Sequence, residues 1–254
     1  MDLFLKQYNQ RCSKYKALGF CKINQTYARA NDELIQLFRL KRWRLGYQCT
    51  IEFDIIPLCM HIPNYWYDLG SYTLDKFSLE TYDGWKYTSN DQESIQQCVD
   101  SLINSVNNFL IPLFEHSLNC ADALQSMIDL ENIFNRNRLD ILVKKGISDL
   151  ADNKVIGFSS VENFYLGLKS RDYDFCIRHL CYWINYYEFL IESNRNHTCS
   201  VQQPYSVIKR IQNKLDELST LLSILQQGDT KEIENIITNN EIESKKIIKD
   251  YITI

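Results

Sequence analysis

The chain has 254 residues, of which 45% are hydrophobic and 24% are charged, and its formal net charge is −4. The composition is ordinary for a globular protein, and the negative charge argues against a dedicated nucleic-acid binder, which needs a basic surface to neutralise phosphates. Glycine (8) and proline (4) are scarce, which favours long helices and few tight turns.

The amino-terminal segment predicts a helix. Its apolar stripe at helical spacing consists of Leu3, Phe4, Tyr8, Cys12 and Tyr15. Gly19 is well placed to end the helix, because glycine readily adopts the left-handed conformation found there. The segment carries charges throughout, so it lacks the apolar core of a secretory signal. No run in the chain has the length and apolarity needed to span a bilayer, and we expect no membrane contact.

Three strands joined by two turns are predicted in "TYARANDELIQLFRLKRWRLGYQCTIEFDI", with one turn at Asn31-Asp32 and the other at residues 44–46. In the last strand Tyr47, Cys49, Ile51, Phe53 and Ile55 alternate with Gln48, Thr50, Glu52 and Asp54. This alternation predicts that the apolar set faces the core and that the polar set faces water.

A basic run with one aromatic residue precedes the second turn and consists of Lys41, Arg42, Trp43 and Arg44. A nucleic-acid contact is one interpretation, but acidic residues flank the run and nothing else in the chain extends it. An ordinary solvated strand end is the simplest interpretation. A protein-contact surface is the second, because arginine and tryptophan are frequent at binding hot spots. These four residues are our candidate binding site.

The middle of the chain changes from strand to helix. The segment "SYTLDKFSLETYDGWKY" predicts further strand with a turn at Asp83-Gly84. The segment "SNDQESIQQCVDSLINSVNNFLIPLFEH" predicts an amphipathic helix, which Pro112 should kink or end. Two shorter helices are expected in "CADALQSMIDLENIFNR" and "RLDILVKKGISDLADN".

The last part predicts helices throughout. Ser159 and Ser160 should cap "VENFYLGLKS", and "DYDFCIRHLCYWINYYEFLIES" is the longest candidate. The polar residues of this long helix form one narrow line, so we expect it at the centre of a helical layer. Pro204 suits the first turn of the next helix, whose apolar residues predict an antiparallel neighbour within the chain. The tail from residue 228 predicts two short amphipathic turns.

The expected fold is α+β, with an amino-terminal antiparallel sheet packed on helices and a mostly helical carboxy-terminal half. We place an α+β domain at residues 1–130 and a helical region, packed on it or following it, at residues 131–254.

Neither metal nor catalytic signatures are recognisable. Cys176, His179 and Cys181 lie close together but lack the second pair of ligands that structural zinc requires, and Cys59 with His61 also lacks partners. We find no nucleophile motif and no phosphate-binding glycine loop. We therefore predict no cofactor, no metal and no catalytic residues. The alternative is an enzyme, such as a hydrolase, whose site is assembled from dispersed residues.

The nine cysteines include no CxxC pair and have no evident disulfide spacing. They are typical of free thiols buried in a reducing compartment, which predicts a cytoplasmic protein.

Several motifs together resemble a bacterial family. A first helix that ends in "LGF", the hairpin above, the later "GWKY" and the helix that reaches "FLIPLFEH" resemble domain of unknown function 4304 over residues 5–130. The helical remainder resembles extensions of some members. The family has no established activity, catalytic residues or cofactor, and some members are suspected immunity proteins that act beside polymorphic toxins. The resemblance implies a non-enzymatic protein that binds another protein, as an immunity or accessory factor.

Overall fold

The computed structural model describes residues 2–43, 47–64, 66, 72–78, 84–88, 91–144, 161–195 and 205–252. Within them, six strands form one antiparallel sheet in the amino-terminal part, and helices make up nearly all of the chain after the last strand. The α+β class is therefore confirmed. Among the same residues, no helix is both long enough and apolar enough to cross a membrane.

Neighbouring strands of the sheet are consecutive along the chain. They are β1 (Cys21–Ile23), β2 (Thr26–Ala30), β3 (Leu34–Arg42), β4 (Gln48–Pro57) and β5 (Tyr72–Thr73), with β6 (Trp85–Lys86) also paired to β4. The side-chain oxygen of Asn31 accepts hydrogen bonds from the amides of Glu33 and Leu34 and so forms the turn between β2 and β3. The predicted turn at Asn31-Asp32 is confirmed. The turn predicted at residues 44–46 lies outside the described residues.

The described part of the chain also forms eight α-helices. They are α1 (Leu3–Cys12), α2 (Gln92–Ser105), α3 (Ile111–His116), α4 (Cys120–Lys144), α5 (Val161–Lys169), α6 (Tyr173–Arg195), α7 (Tyr205–Gln227) and α8 (Thr230–Ile248). Asp2 caps α1. A 3₁₀ turn comes directly after this helix, and Gly19, with φ +85°, ends the turn, as predicted. The caps predicted at Ser159, Ser160 and Pro204 and the Asp83 side of the turn before β6 lie outside the described residues.

Pro112 changes the winding of its helix but does not end it. A π turn at Val106–Leu110 joins α2 to α3, and α3 continues past the proline to His116. Proline lacks the amide hydrogen that would bond to the preceding turn. The wider π turn lies directly before this missing donor.

Two predicted breaks in helices were wrong. The segment expected to form two helices after Cys120 is continuous in α4 as far as Lys144, and no glycine or proline interrupts it. The tail forms one helix, α8, rather than two short turns. Its central Thr238, Asn239 and Asn240 are poor helix formers. A tertiary contact holds this part of α8, because the Asn240 amide donates to the Cys59 carbonyl at 2.8 Å.

One face of the sheet forms the main core with α1, α2, α3 and α4. Phe38 lies fully buried at its centre, and its ring centroid is 5.3–5.4 Å from those of Tyr15, Phe20 and Tyr27. The prediction that Cys49, Ile51, Phe53 and Ile55 face the core is confirmed, since all four are fully buried here.

Helix α8 covers only one end of the second face of the sheet. Ile35, Leu37 and Ile56 pack with Ile248 at the end of α8 and with Ile252, which follows the helix. The Ser244 hydroxyl, also on α8, donates to the Met60 carbonyl at 2.7 Å. These contacts cover the region near the start of β3 and the end of β4, and they leave the other end of this face uncovered by α8.

The prediction that the polar side chains of β4 face water was wrong. Thr50, Glu52 and Asp54 are all buried. The Thr50 hydroxyl donates a hydrogen bond to Asp75, which belongs to a 3₁₀ turn at Leu74–Phe77. Alternation separates the two faces of a strand, but it does not show whether a polar face meets water or other protein groups.

The expected position of α6 within a helical layer holds in part, because α6 packs against both α5 and α7. Cys176 and Leu180 are buried in a cluster with residues of α5 and α7. Tyr186 and Phe189, in contrast, are 38% and 63% exposed. Helices pack along one side of α6, and its other side is open. The intramolecular neighbour expected for α7 is α6.

The helical part comes after the sheet in the chain and also packs against it. Leu166 of α5 belongs to the main core, and α8 covers part of the second face. The helix α4 runs without a break through residue 130. The division at residues 130 and 131 stays a prediction.

Candidate functional site

The pleat of β3 divides the predicted basic run between two sides of the sheet. Lys41 shares a face with Arg39, because both cations bind Glu52. Arg42 lies on the opposite face and forms an ion pair with Asp2 at the start of α1. The run is therefore not one continuous basic patch. Arg44, the fourth predicted residue, lies outside the described residues.

Arg42 is bound into the scaffold. One carboxylate oxygen of Asp2 accepts hydrogen bonds from the Phe4 and Leu5 amides at 3.0 and 3.3 Å, and the other pairs with Arg42. Partial burial acts to raise the pKa of Asp2, but the hydrogen bonds from Arg42 and from these amides bring it below its ordinary value. Arg42 thus joins the end of β3 to the cap of α1, which is a structural role.

Trp43 is exposed but fixed in place. Its amide donates to the Gln48 carbonyl at 3.2 Å, which extends the β3–β4 ladder by one step. Its side chain is 39% exposed, and its ring packs over Gly84, where an added Cβ would lie 3.0 Å from the indole. Gly84 therefore provides the space that the indole occupies beside β6.

The environment of Gly84 gives a direct test of this packing. Gly84→Ala is expected to lower the free energy of unfolding by about 2–3 kcal/mol, because its φ is +82° and a Cβ would also lie 2.9 Å from the Cys49 carbonyl oxygen. Gly19→Ala is the matched control: its φ is +85° but nothing lies within 4 Å, so about 1 kcal/mol is expected. Denaturant unfolding measures both. Equal losses would show that Trp43 does not pack there.

A cleft lies on the second face at the end that α8 leaves uncovered, and Trp43 follows one of its lining residues, Lys41, by two positions in the chain. It has a volume of about 380 Å³ and is lined by Asn24, Gln25, Thr26, Arg39, Leu40, Lys41 and Glu52. The register places Thr26, Arg39 and Glu52 side by side on β2, β3 and β4. We call the surface formed by Thr26, Arg39, Lys41, Trp43 and Glu52 the open sheet face.

Glu52 is the buried charge of the open sheet face. Its two carboxylate oxygens accept hydrogen bonds from Arg39 Nε at 2.8 Å and from Lys41 Nζ. Both cations reach solvent more than the carboxylate does. Glu52 therefore positions the two cations at the cleft and offsets the repulsion between them.

Tyr47 was expected to face the core, and that prediction was wrong. It precedes β4 and is 54% exposed. Its ring meets the edge of Tyr87 at 5.7 Å, and Tyr87 stacks on Phe4 at 4.4 Å. Two braced and exposed aromatic residues, Trp43 and Tyr47, thus lie at this end of the hairpin.

The Cys176 and His179 region contains no recognisable metal site. Cys176 and His179 are buried, and His179 Nε2 accepts a hydrogen bond from Trp183 at 3.1 Å. Burial lowers the pKa of His179 to about 4. Cys59 is buried while His61 is exposed. Across the described residues, no three His, Cys, Asp or Glu side chains form a group that could hold a metal.

The eight cysteines in the described ranges are free thiols. Cys49 and Cys98 lie 3.7 Å apart between their sulfurs, well beyond the roughly 2.05 Å of a disulfide bond. The hydrogen bond with Cys98 and burial raise the pKa of Cys49. A buried and protonated thiol reacts slowly, which fits a packing role.

The sequence pattern identified Lys41 and Trp43 but not Arg39, Glu52 or Thr26. The two-residue period of β3 would have grouped residues 39, 41 and 43 on one face. The pairing with Glu52 also required the strand register. No family model, curated protein or solved structure matched the chain.

Proposed function

We propose that the protein is a non-enzymatic, cytoplasmic protein-binding module that holds its partner at the open sheet face. The observation that carries the proposal is an exposed but fixed indole, Trp43, two residues beyond Lys41 in the chain, together with a cleft in which Glu52 positions two cations. Aromatic and basic residues that are held in place before binding lose little conformational freedom when a partner docks.

The chemistry of the cleft favours an acidic contact on the partner. Arg39 and Lys41 are donors only, and both reach solvent more than Glu52 does. Asn24 and Gln25 add amide groups at the rim. A carboxylate of the partner would interact with the cations, and an apolar group next to it would cover the exposed side of Trp43.

The resemblance to domain of unknown function 4304 makes the proposal more specific. If the resemblance holds, the partner is a toxin and the protein is its immunity or accessory factor. Acidic and apolar groups on the toxin would then meet the open sheet face. The resemblance and the toxin both stay predictions.

One observation favours the enzymatic alternative, since three charged groups converge on one cleft. Of the described residues that line it, however, none is His, Cys or Ser, the commonest bases and nucleophiles. Glu52 is already bound by two cations. These features support binding in preference to hydrolysis.

Site-specific crosslinking tests the proposal. Benzoylphenylalanine in place of Gln25, which is exposed at the rim of the cleft, is expected to capture a partner in the native cell. The same group in place of Leu118, which is also exposed, should not. The Leu118 carbonyl accepts from the Asn31 side chain at the far end of β3. With the captured protein purified, Trp43→Ala and Lys41→Ala should each weaken binding at least tenfold, and Leu118→Ala should leave it unchanged.

Two outcomes would contradict this function. One is equal loss of binding in Leu118→Ala and Trp43→Ala variants that melt at the wild-type temperature. The other is tight binding of DNA or RNA that weakens steeply between two salt concentrations and is abolished by Lys41→Ala, because phosphate binding releases condensed counterions.

A further inference from the structure

The open side of α6 carries a regular stripe. Its residues recur at alternating spacings of four and three, namely Arg178, Tyr182, Asn185, Phe189 and Glu192. This spacing places them on one side of a helix and is the spacing by which helices pack in pairs. All of them are exposed except Tyr182, which is half-buried, and Tyr186 beside the stripe is also exposed.

The aromatic part of the stripe is held rigidly. The ring of Trp183 lies 5.7 Å from Tyr182 and 5.6 Å from both Tyr186 and Tyr187. On the opposite side of α6, residues such as Leu180 pack in the core shared with α5 and α7. The stripe therefore points away from the rest of the described chain and presents an ordered aromatic surface. An exposed fraction of 63% for Phe189 is high for a residue with no polar group.

The order of residues along the stripe is symmetric about Asn185. Arg178 lies as far before Asn185 as Glu192 lies after it, about 10 Å along the helix at 1.5 Å per residue. Tyr182 and Phe189 lie one turn from Asn185 on either side. An antiparallel copy of α6, related by a two-fold axis through Asn185, would therefore place Arg178 opposite Glu192 and Tyr182 next to Phe189. Asn185 would meet its own copy.

We propose that the exposed stripe of α6 is the interface of a two-fold symmetric dimer of this chain. A two-fold axis requires a surface that complements itself. In this stripe the charged ends, the aromatic rings and the central amide each meet a complementary group of the second copy. Because α7 packs along α6, the two copies would form a four-helix bundle. The central Asn185 pair would fix the register, as a single polar residue does in paired helices.

A foreign partner fits the stripe less well than a second copy does. An acidic surface would match Arg178 but oppose Glu192, and a basic surface would do the reverse. The antiparallel copy satisfies both ends at once and covers the rings between them. The inference is independent of the open sheet face, which involves other elements of the fold.

A charge exchange tests the dimer by sedimentation equilibrium at low salt. The wild-type chain is expected to be dimeric, and Arg178→Glu or Glu192→Arg should each raise the dissociation constant at least tenfold. The double variant, Arg178→Glu with Glu192→Arg, should restore dimerisation. Within one chain these two residues are about 21 Å apart along the helix, so they cannot rescue each other except through a second copy.

Phe189→Gln provides an independent test of the dimer. It removes apolar area from an exposed position and is expected to give a folded monomer. Leu118→Gln, at a similarly exposed position away from α6, should remain dimeric. Circular dichroism and melting temperature check that each variant folds. A wild-type monomer at millimolar concentration would overturn the proposal. So would a dimer that persists in folded Phe189→Gln, or a double variant that remains as weak as the single ones.

Discussion

Replacing Phe53 with alanine is expected to lower the free energy of unfolding by about 3–5 kcal/mol. Phe53 is fully buried, and its ring lies 5.7 Å from Tyr72 and 5.8 Å from Phe77, measured between centroids. Truncation removes these contacts and leaves a cavity that the sheet cannot close, because β3 pairs with β4 along nearly its whole length. Equilibrium unfolding in denaturant measures the loss, and Phe53→Leu, which fills much of the cavity, should retain more stability.

The neighbouring Glu52 provides the comparison. Glu52→Ala should also destabilise the protein, because it leaves Arg39 and Lys41 close together without their shared carboxylate. Both cations can rehydrate at the open cleft, so we expect a smaller loss than for Phe53→Ala. A larger loss for Glu52→Ala would mean that the core packing assigned to Phe53 is wrong.

The parts of the fold that could be predicted from the sequence depend on neighbours along the chain. The apolar spacing of α1, the stop at Gly19 after the following 3₁₀ turn and the inward set of β4 all follow from local sequence signals. The same periodicity failed for the polar set of β4. It identifies the face on which Glu52 lies, but the partners of Glu52 come from another strand.

The coverage of the sheet depends on contacts that no local pattern contains. Asn240 and Cys59 are separated by 181 residues, yet their hydrogen bond helps to hold α8 against the chain that comes after β4. Helix propensity is low near Asn240, and this tertiary contact overrides it.

The candidate site shows the same limit. A run of basic residues resembles one patch in the sequence, but the pleat sends Lys41 and Arg42 to opposite faces. Arg42 then meets Asp2, far away in the chain, and takes a structural role. Only the part of the run on the second face, together with Arg39 and Glu52, contributes to the open sheet face.

The helical part of the chain contains two shielded groups whose ionisation affects stability in opposite directions, and the first is His179. Burial lowers the pKa of His179 to about 4 from an ordinary 6.5. The unfolded chain therefore takes up this proton at a higher pH than the folded chain does. Stability from His179 is present above pH 6.5 and is lost as the pH falls towards 4.

Glu131 on α4 acts in the other direction. Burial raises its pKa to about 7 from an ordinary 4.5, although hydrogen bonds from Asn163 and Tyr72 act to lower it. The Asn163 amide, on α5, donates to the Glu131 carboxylate at 2.7 Å. The folded chain takes up this proton at a higher pH than the unfolded chain does. Stability from Glu131 is therefore gained as the pH falls from 7 to 4.5 and is lost as the pH rises again.

Because the two contributions nearly cancel, variants that remove one of them are expected to reveal the other. Between pH 7 and pH 4.5 each contribution is about 2 kcal/mol, with that of Glu131 reduced because its carboxyl is partly hydrated. Glu131→Gln should therefore lose about 2 kcal/mol of stability on acidification beyond any wild-type change. His179→Gln, which keeps an acceptor for Trp183, should gain about as much. Denaturant unfolding at pH 4.5, 5.5 and 7 measures both slopes. If both variants keep the wild-type slope, these two side chains are not shielded from solvent between α4, α5 and α6 as described.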